Sequence, residues 1–255
     1  MEIIDVAKSY LDALLSHDAA SVRLAPDARR IDNGAVTVEG ADALRAIIRR
    51  EPAAATSSFR WLVDGDQAIA FYDLDADLAL ARGDEPSPRD QWIPAYIGER
   101  FQIRDDLIHE IEVVYAANPG QPRPARPTRY AQAEAAREEV IGAARLYLAS
   151  LVSHDASAVP LADQVWRIEN GKNTGDSAEA LRKSLESQIM HTVQSISDAR
   201  WFVGGDTAAA FYTLHAKAGD STLPVRIAER FRVVDGLIAE IDAIFAPIPN
   251  PDNKS

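Results

Sequence analysis

The sequence is one module written twice, and this repeat limits the possible folds more than any other feature. Residues 8–34 read KSYLDALLSHDAASVRLAPDARRIDNG and residues 145–171 read RLYLASLVSHDASAVPLADQVWRIENG. At this offset of 137, 14 of 27 positions are identical. The match resumes at Ala41–Arg45 against Ala178–Arg182, at Arg60-Trp61 against Arg200-Trp201, and at Ala70-Phe71-Tyr72 against Ala210-Phe211-Tyr212. It closes with GERFQIRDDLIHEIEVVYA (98–116) against AERFRVVDGLIAEIDAIFA (228–246). The blocks keep their order, and the offset changes only where loops are expected, so each half must bury its own core in the same way.

Between the copies lies NPGQPRPARPTRYAQAE, with prolines at 119, 122, 124 and 127. Proline at that density opposes regular structure and favours an extended tether. The expected organisation is copy one at 1–118, a Pro-rich linker at 119–134, copy two at 135–248 and a flexible tail at 249–255. A length of 255 residues accommodates two such domains. The balance of 27 Lys+Arg against 39 Asp+Glu, a net charge of −12, argues against nucleic acid or an anionic membrane as partner. The absence of cysteine excludes disulfides, thiolate metal sites and a cysteine nucleophile. The apolar runs fall well short of the roughly 20 residues of a membrane span. The acidic, amphipathic start (MEIIDVAKSYLDALL) does not resemble a signal peptide, so a cytoplasmic location is expected.

Each copy has the same order of elements. Ile3, Val6, Tyr10, Leu14 and His17 recur at helical spacing, as do Val140, Ala144, Tyr147, Leu151 and His154. A short strand ending in Asp32-Asn33-Gly34 or Glu169-Asn170-Gly171 comes next. A second helix is expected over 41–50 and 177–190. Long strands are expected over 59–63 leading into 67–81, then 92–104 and 107–116, with counterparts at 200–218, 223–234 and 237–246. Helices first and antiparallel strands afterwards indicate an α+β fold, with helices on one face of a curved antiparallel sheet.

Strand parity singles out one residue per copy. Ile97, Glu99, Phe101 and Ile103 share a face, as do Ile227, Glu229, Phe231 and Val233. A glutamate on an apolar face must be paired or kept neutral by a raised pKa. Arg30 and Arg167 are candidate partners in a purely structural ion pair. Tyr10 and Tyr147 lie on the apolar face of the first helix, so each hydroxyl needs an inward partner. Asp32 and Glu169 share a strand face with those arginines, away from Ile31 and Ile168, unless a bulge intervenes. His109 shares a face with Leu107, Ile111 and Val113 and is replaced by Ala239 in copy two, so it would add a neutral-pH titrating group to copy one alone. His17 and His154 are expected to be structural residues at helix ends. Asp73, Asp75 and Asp77 alternate along a strand and are expected on a solvated face, not in a metal site. No Gly-rich phosphate loop, G-x-S-x-G or H-E-x-x-H is present, so no cofactor or metal is expected.

The pattern Y-x-x-x-L-x-x-x-D, followed by a strand, a helix and a long sheet ending in E-R-F-x-(I/V)-x-D-G-L-I-x-E-I, resembles the SnoaL-like branch of the nuclear transport factor 2-like superfamily. The resemblance spans nearly all of both copies. It implies two cone-shaped half-barrels in tandem, each with a pocket. Proteins of this fold pair sheet to sheet, so the resemblance also implies an internal pseudo-dimer, alone or within a homo-oligomer. Ketosteroid isomerases are one member group. Similarity to them implies Asp32 and Glu169 as general bases, Tyr10 and Tyr147 as oxyanion-hole phenols, and Glu99 and Glu229 as protonated, hydrogen-bond-donating acids. Glu in place of Asp at the donor, and at the base of copy two, departs from that pattern. Trp61, Phe71 and Phe101, with Trp201, Phe211 and Phe231, would line the pockets. The expected activity is cofactor-independent acid–base chemistry (isomerase, cyclase, lyase or dehydratase) on a small apolar oxygenated molecule. The alternatives are epoxide hydrolase-type water activation by Arg30 with Asp32 and Glu99, and a non-catalytic small-molecule-binding or assembly module.

Overall fold

The buried stripe of the first helix sets the inside of each copy. In the computed structural model, which describes residues 2–120, 123–124 and 133–249, α1 (Ile3–Ser16) buries Val6, Ala7, Tyr10, Leu11, Ala13 and Leu14. It ends at His17, which adopts a left-handed conformation at φ 56°. Asp18 then caps a short 3-10 turn by accepting from the Ala20 amide at 2.9 Å. The equivalent helix of copy two, α4 (Arg137–Ser153), likewise ends at a left-handed His154.

After α1 the chain forms β1 (Leu24–Asp32), β2 (Ala35–Glu39), α2 (Ala41–Ile48), β3 (Ala53–Asp64), β4 (Gln67–Ala76), α3 (Leu78–Arg82), β5 (Ile93–Arg104) and β6 (Leu107–Ala117). After α4, copy two forms β7 (Leu161–Glu169), β8 (Lys172–Gly175), α5 (Ala178–Leu185), β9 (Val193–Gly204), β10 (Thr207–Ala218), β11 (Ser221–Val234) and β12 (Leu237–Pro247). The two sheets have matching orders, β2-β1-β6-β5-β4-β3 and β8-β7-β12-β11-β10-β9. They are mixed rather than purely antiparallel, because β1 pairs with β6, and β7 with β12, in parallel. A parallel pair needs a long crossover, and the whole remainder of the module supplies it. No helix among the described residues is long and apolar enough to cross a membrane.

Several element bounds differ from the sequence expectation. β3 begins at Ala53 rather than 59, and α5 stops at Leu185 rather than 190. β4 stops at Ala76 rather than 81, because Asp77 turns the chain into α3 by accepting from the Ala79 amide at 3.0 Å. Asp77 at this turn and Asp73 within β4 are buried and Asp75 is half-buried, so the three do not form a solvated face. Among the described residues no group of three or more His, Cys, Asp or Glu is placed to hold a metal. The Pro-rich segment lies largely outside the described residues, as do positions 250–255 of the expected tail.

Alternation along the E-R-F strand sorts its side chains by face. Glu99 and Phe101 turn toward α1, whereas Arg100 on the other face donates to Glu112 at 3.1 Å and to Gln67 at 2.7 Å. In copy two Arg230 donates to Glu240 at 2.8 Å in the same cross-strand manner. These charged ladders fix the register of the long strands.

The Asn-Gly turns are the second device copied between the modules. Asn33 and Asn170 take left-handed conformations (φ 47° and 45°) that few non-glycine residues adopt. Each carries its amide side chain to the final strand: Asn33 Oδ1 accepts from the Tyr115 amide and Asn170 Oδ1 from the Phe245 amide, both at 2.9 Å. Replacing Asn33 or Asn170 by Ala should cost about 1–3 kcal/mol, from one lost hydrogen bond plus left-handed strain. Chemical denaturation of the single and double variants checks this, with roughly equal and additive losses expected.

Candidate active site

Glu99 is 1% exposed and stands on the inner face of β5. Its partner is a phenol that the sequence reading did not single out: Tyr72 Oη donates to Glu99 Oε2 at 2.9 Å. Register explains the meeting. Ala70 on β4 lies opposite Glu99 and Tyr72 lies opposite Ile97, so Tyr72 is the diagonal neighbour of Glu99 on the same face. Copy two repeats the dyad, with Tyr212 Oη donating to Glu229 Oε2 at 2.7 Å. The signal was available in the repeated Ala-Phe-Tyr block once parity and register are combined.

Burial dominates the electrostatics of these carboxyls. Glu99 is pushed up to about 8, with desolvation outweighing the nearby Arg30 charge and the Tyr72 hydrogen bond, which both pull the other way. Glu229 is also pushed up to about 8, again by burial first. Burial pushes the Tyr72 and Tyr212 phenols up as well, so both remain donors. At neutral pH the two glutamates are therefore mostly neutral acids.

The expected Arg30–Glu99 ion pair is not the arrangement found. Arg30 Nε donates to Asp32 Oδ1 at 2.8 Å, and Nη1 donates to Tyr10 Oη at 3.1 Å and to Glu51. Asp32 is further held by Thr37, whose hydroxyl donates at 2.5 Å. The inner face of β1 is thus Ala28-Arg30-Asp32, the reverse of the reading that put Ile31 inward, and Ala28 and Arg30 are buried. A buried guanidinium is tolerable there because Tyr10, Glu51 and Asp32 together outweigh its desolvation and hold it charged. Glu51, in the loop after α2, was also missed. It carries no repeat signature, since the corresponding loop of copy two differs in length and residues.

Asp32, Glu51, Arg30, Tyr72 and Glu99 line one cavity of about 340 Å³, together with aliphatic side chains such as Leu14, Leu74, Ile97 and Val113, and with Tyr115. The other expected residues lie elsewhere. Tyr10 sits behind Arg30, edge-on to Phe101 at 5.5 Å between ring centroids, and neither ring lines the cavity. Trp61 stacks on Phe59 at 5.9 Å. Phe71 alternates with Tyr72 and so occupies the opposite face of β4, as Phe211 does beside Tyr212 on β10. His109 is the extra residue of a bulge, since Gln102 pairs with Glu110 and Ile103 with Ile108. Its Nδ1 lies 3.8 Å from Asp27 Oδ1, away from the cavity lining.

Copy two keeps the arginine and the inner tyrosine but changes the surroundings. Arg167 donates to Thr174 at 3.0 Å, to Ser184 at 2.7 Å and to Tyr147 at 3.4 Å. Glu169 stands 3.5 Å from Arg167. Phe231 packs edge-on to Tyr147 at 5.3 Å, as Phe101 does to Tyr10, and lies 6.4 Å from Trp201, whereas Trp61 of copy one stacks on Phe59.

A raised carboxyl pKa has a thermodynamic consequence. The unfolded chain releases this proton near 4.5, whereas the folded chain keeps it to about 8, so each glutamate removes stability as pH rises through that window. Glu99→Gln should flatten part of the fall in melting temperature between pH 5 and pH 8. Parallel curves for wild type and variant would contradict the assignment.

Comparison with known proteins places the chain in a family. Among curated proteins, none matches this sequence significantly. Among solved structures, a stretch of the chain is similar to an LEH-like epoxide hydrolase from M. tuberculosis, at 19% identity and TM-score 0.38, covering 42% of this chain and 83% of that one. It is also similar to an NTF2-like protein of unknown function from Cytophaga hutchinsonii, at 13% identity and TM-score 0.35, covering 46% and 91%. A candidate SnoaL-like polyketide cyclase from Jannaschia sp. is similar at 16% identity and TM-score 0.33, covering 44% and 85%. Each likeness spans just under half of the chain, about the length of one copy; the chain itself is two α+β halves of matching strand order in tandem. The family model described as "Domain of unknown function (DUF8021)" matches residues 1–115 and 133–245, and the chain belongs to that family.

Proposed function

We propose that copy one is a cofactor-independent acid–base enzyme acting on a small apolar molecule that carries a carbonyl or similar oxygen. The observation that supports this best is the buried Glu99 carboxyl, with one oxygen held by Tyr72, on the wall of a cavity that also holds Asp32 on its arginine. Two carboxyl groups whose surroundings differ this much divide into an acid and a base. Tyr72 fixes Oε2, leaving the other oxygen of neutral Glu99 to give a hydrogen bond, or a proton, to a substrate oxygen. Asp32, oriented by Arg30 and Thr37, accepts a proton from the adjacent carbon. Arg30 and Tyr10 serve as positioning residues, since the phenol reaches the cavity only through the guanidinium. The aliphatic lining keeps water away from the charge that develops on the substrate. Isomerisation, cyclisation and dehydration all begin with this proton transfer.

A second reading is favoured by one observation, the grip of Arg30 on both Asp32 and Glu51. In that reading one of those carboxylates activates water while Glu99 protonates the departing oxygen of an epoxide. Turnover in heavy-oxygen water separates the two, because only epoxide hydrolysis adds a labelled, non-exchanging hydroxyl and yields a diol, whereas label in a carbonyl exchanges with water on its own.

A panel of cyclic ketones and epoxides, followed by mass spectrometry in deuterated and heavy-oxygen water, tests the assignment. Glu99→Gln and Asp32→Asn should each lower turnover by about 10²-fold or more, in the range of a lost general acid or base. Activity of the wild type should decline above pH 8 as Glu99 loses its proton. A variant that melts much lower yet turns over normally would defeat the catalytic role.

A further inference from the structure

We propose that the copy-one cavity selects an apolar ligand bearing a protonated amine, and that Glu51 is the residue that sets this preference. The inference rests on the acid–base reading for its site but concerns what the site recognises. Three ionic groups line the cavity: the Arg30 guanidinium and the Asp32 and Glu51 carboxylates bound to it. One cation between two anions leaves one net negative charge on the wall, while Glu99 contributes none in its neutral form. In a partly enclosed, largely apolar cavity such a charge is screened less than in open solvent, so it repels a carboxylate or phosphate ligand and attracts an ammonium.

Tyr115 adds a second recognition element. It lines the same cavity from β6 and is 41% exposed, and its ring can face a cation from the cavity mouth. Its phenol is pushed up by burial first and then by Asp32, with Arg30 opposing and Glu51 reinforcing, so the negative field reaches the ring.

Copy two supplies an internal contrast. Tyr115 becomes Phe245, and the loop that carries Glu51 is replaced by residues 186–192. Arg167 there bonds to the Ser184 and Thr174 hydroxyls, with one carboxylate, Glu169, nearby. The charge around that arginine is balanced, so the excess negative charge belongs to copy one. The substrate class is thereby narrowed to compounds that combine an oxygen function with a basic nitrogen on an apolar frame.

Calorimetric titration of the full chain at pH 7 with cyclohexylmethylamine, cyclohexylmethanol and cyclohexanecarboxylate tests this on one carbon frame. The amine should bind at least tenfold more tightly than the alcohol, with the carboxylate weakest. Glu51→Gln should bring amine and alcohol within about threefold of each other, and Tyr115→Leu should weaken the amine selectively. Glu51 is partly exposed, and a circular dichroism melt verifies that its variant folds. A carboxylate that binds as tightly as the amine would overturn the proposal. So would an amine preference unchanged in Glu51→Gln, or no binding by any of the three. None of these outcomes affects the acid–base reading, which is scored by label exchange on the neutral ketones and epoxides.

Discussion

The arrangement in each half depends on a carboxyl group taken out of water. Ionised and alone on the inner face of a sheet, a glutamate would cost several kcal/mol or more. The fold answers by keeping Glu99 and Glu229 neutral and giving each a phenol, Tyr72 or Tyr212, across the neighbouring strand. That solution requires the register of the sheet, and the charged ladder on its other face holds the register. Arg100 and Arg230, the residues next to the two glutamates, belong to that ladder. Structure and chemistry therefore share one short segment, E-R-F, read on alternate faces.

Duplication preserved this device and relaxed what surrounds it. Both halves keep the tyrosine behind the arginine, the Asn-Gly turn that ties β1 or β7 to the last strand, and the raised carboxyl. The groups facing the arginine have changed. Carboxylates hold Arg30, whereas hydroxyls hold most of Arg167. Such a difference changes the charge that surrounds the arginine while leaving the core intact.

Much of this was legible in the sequence because it follows from period and repeat. Glu99, Phe101 and Tyr10 face inward as strand and helix spacing dictate, and the two-half α+β architecture follows from the repeated blocks. What escaped was what spacing does not encode. Tyr72 meets Glu99 only through the β4–β5 register, and Glu51 comes from a loop. The bulge before Glu110 removes His109 from the face that simple alternation gives it. The burial of Arg30 depends on Tyr10 and Glu51, partners brought from two other segments, which strand alternation alone does not reveal. The aromatic lining was misjudged for a related reason: the rings of Phe71 and Phe101 fill the two faces of the sheet, and small aliphatic residues were left to shape the cavity.

The central claim, that Glu99 carries a proton at neutral pH, is open to direct observation. Carbon-detected NMR of protein labelled at the glutamate side-chain carboxyls, titrated from pH 4 to pH 10, follows each carboxyl separately, and the Glu99→Gln spectrum assigns the resonance. The structure predicts a Glu99 midpoint near 8. A midpoint near 4.5, the ordinary value for a glutamate, would show that the group is ionised at neutral pH and would remove the acid from the proposed pair.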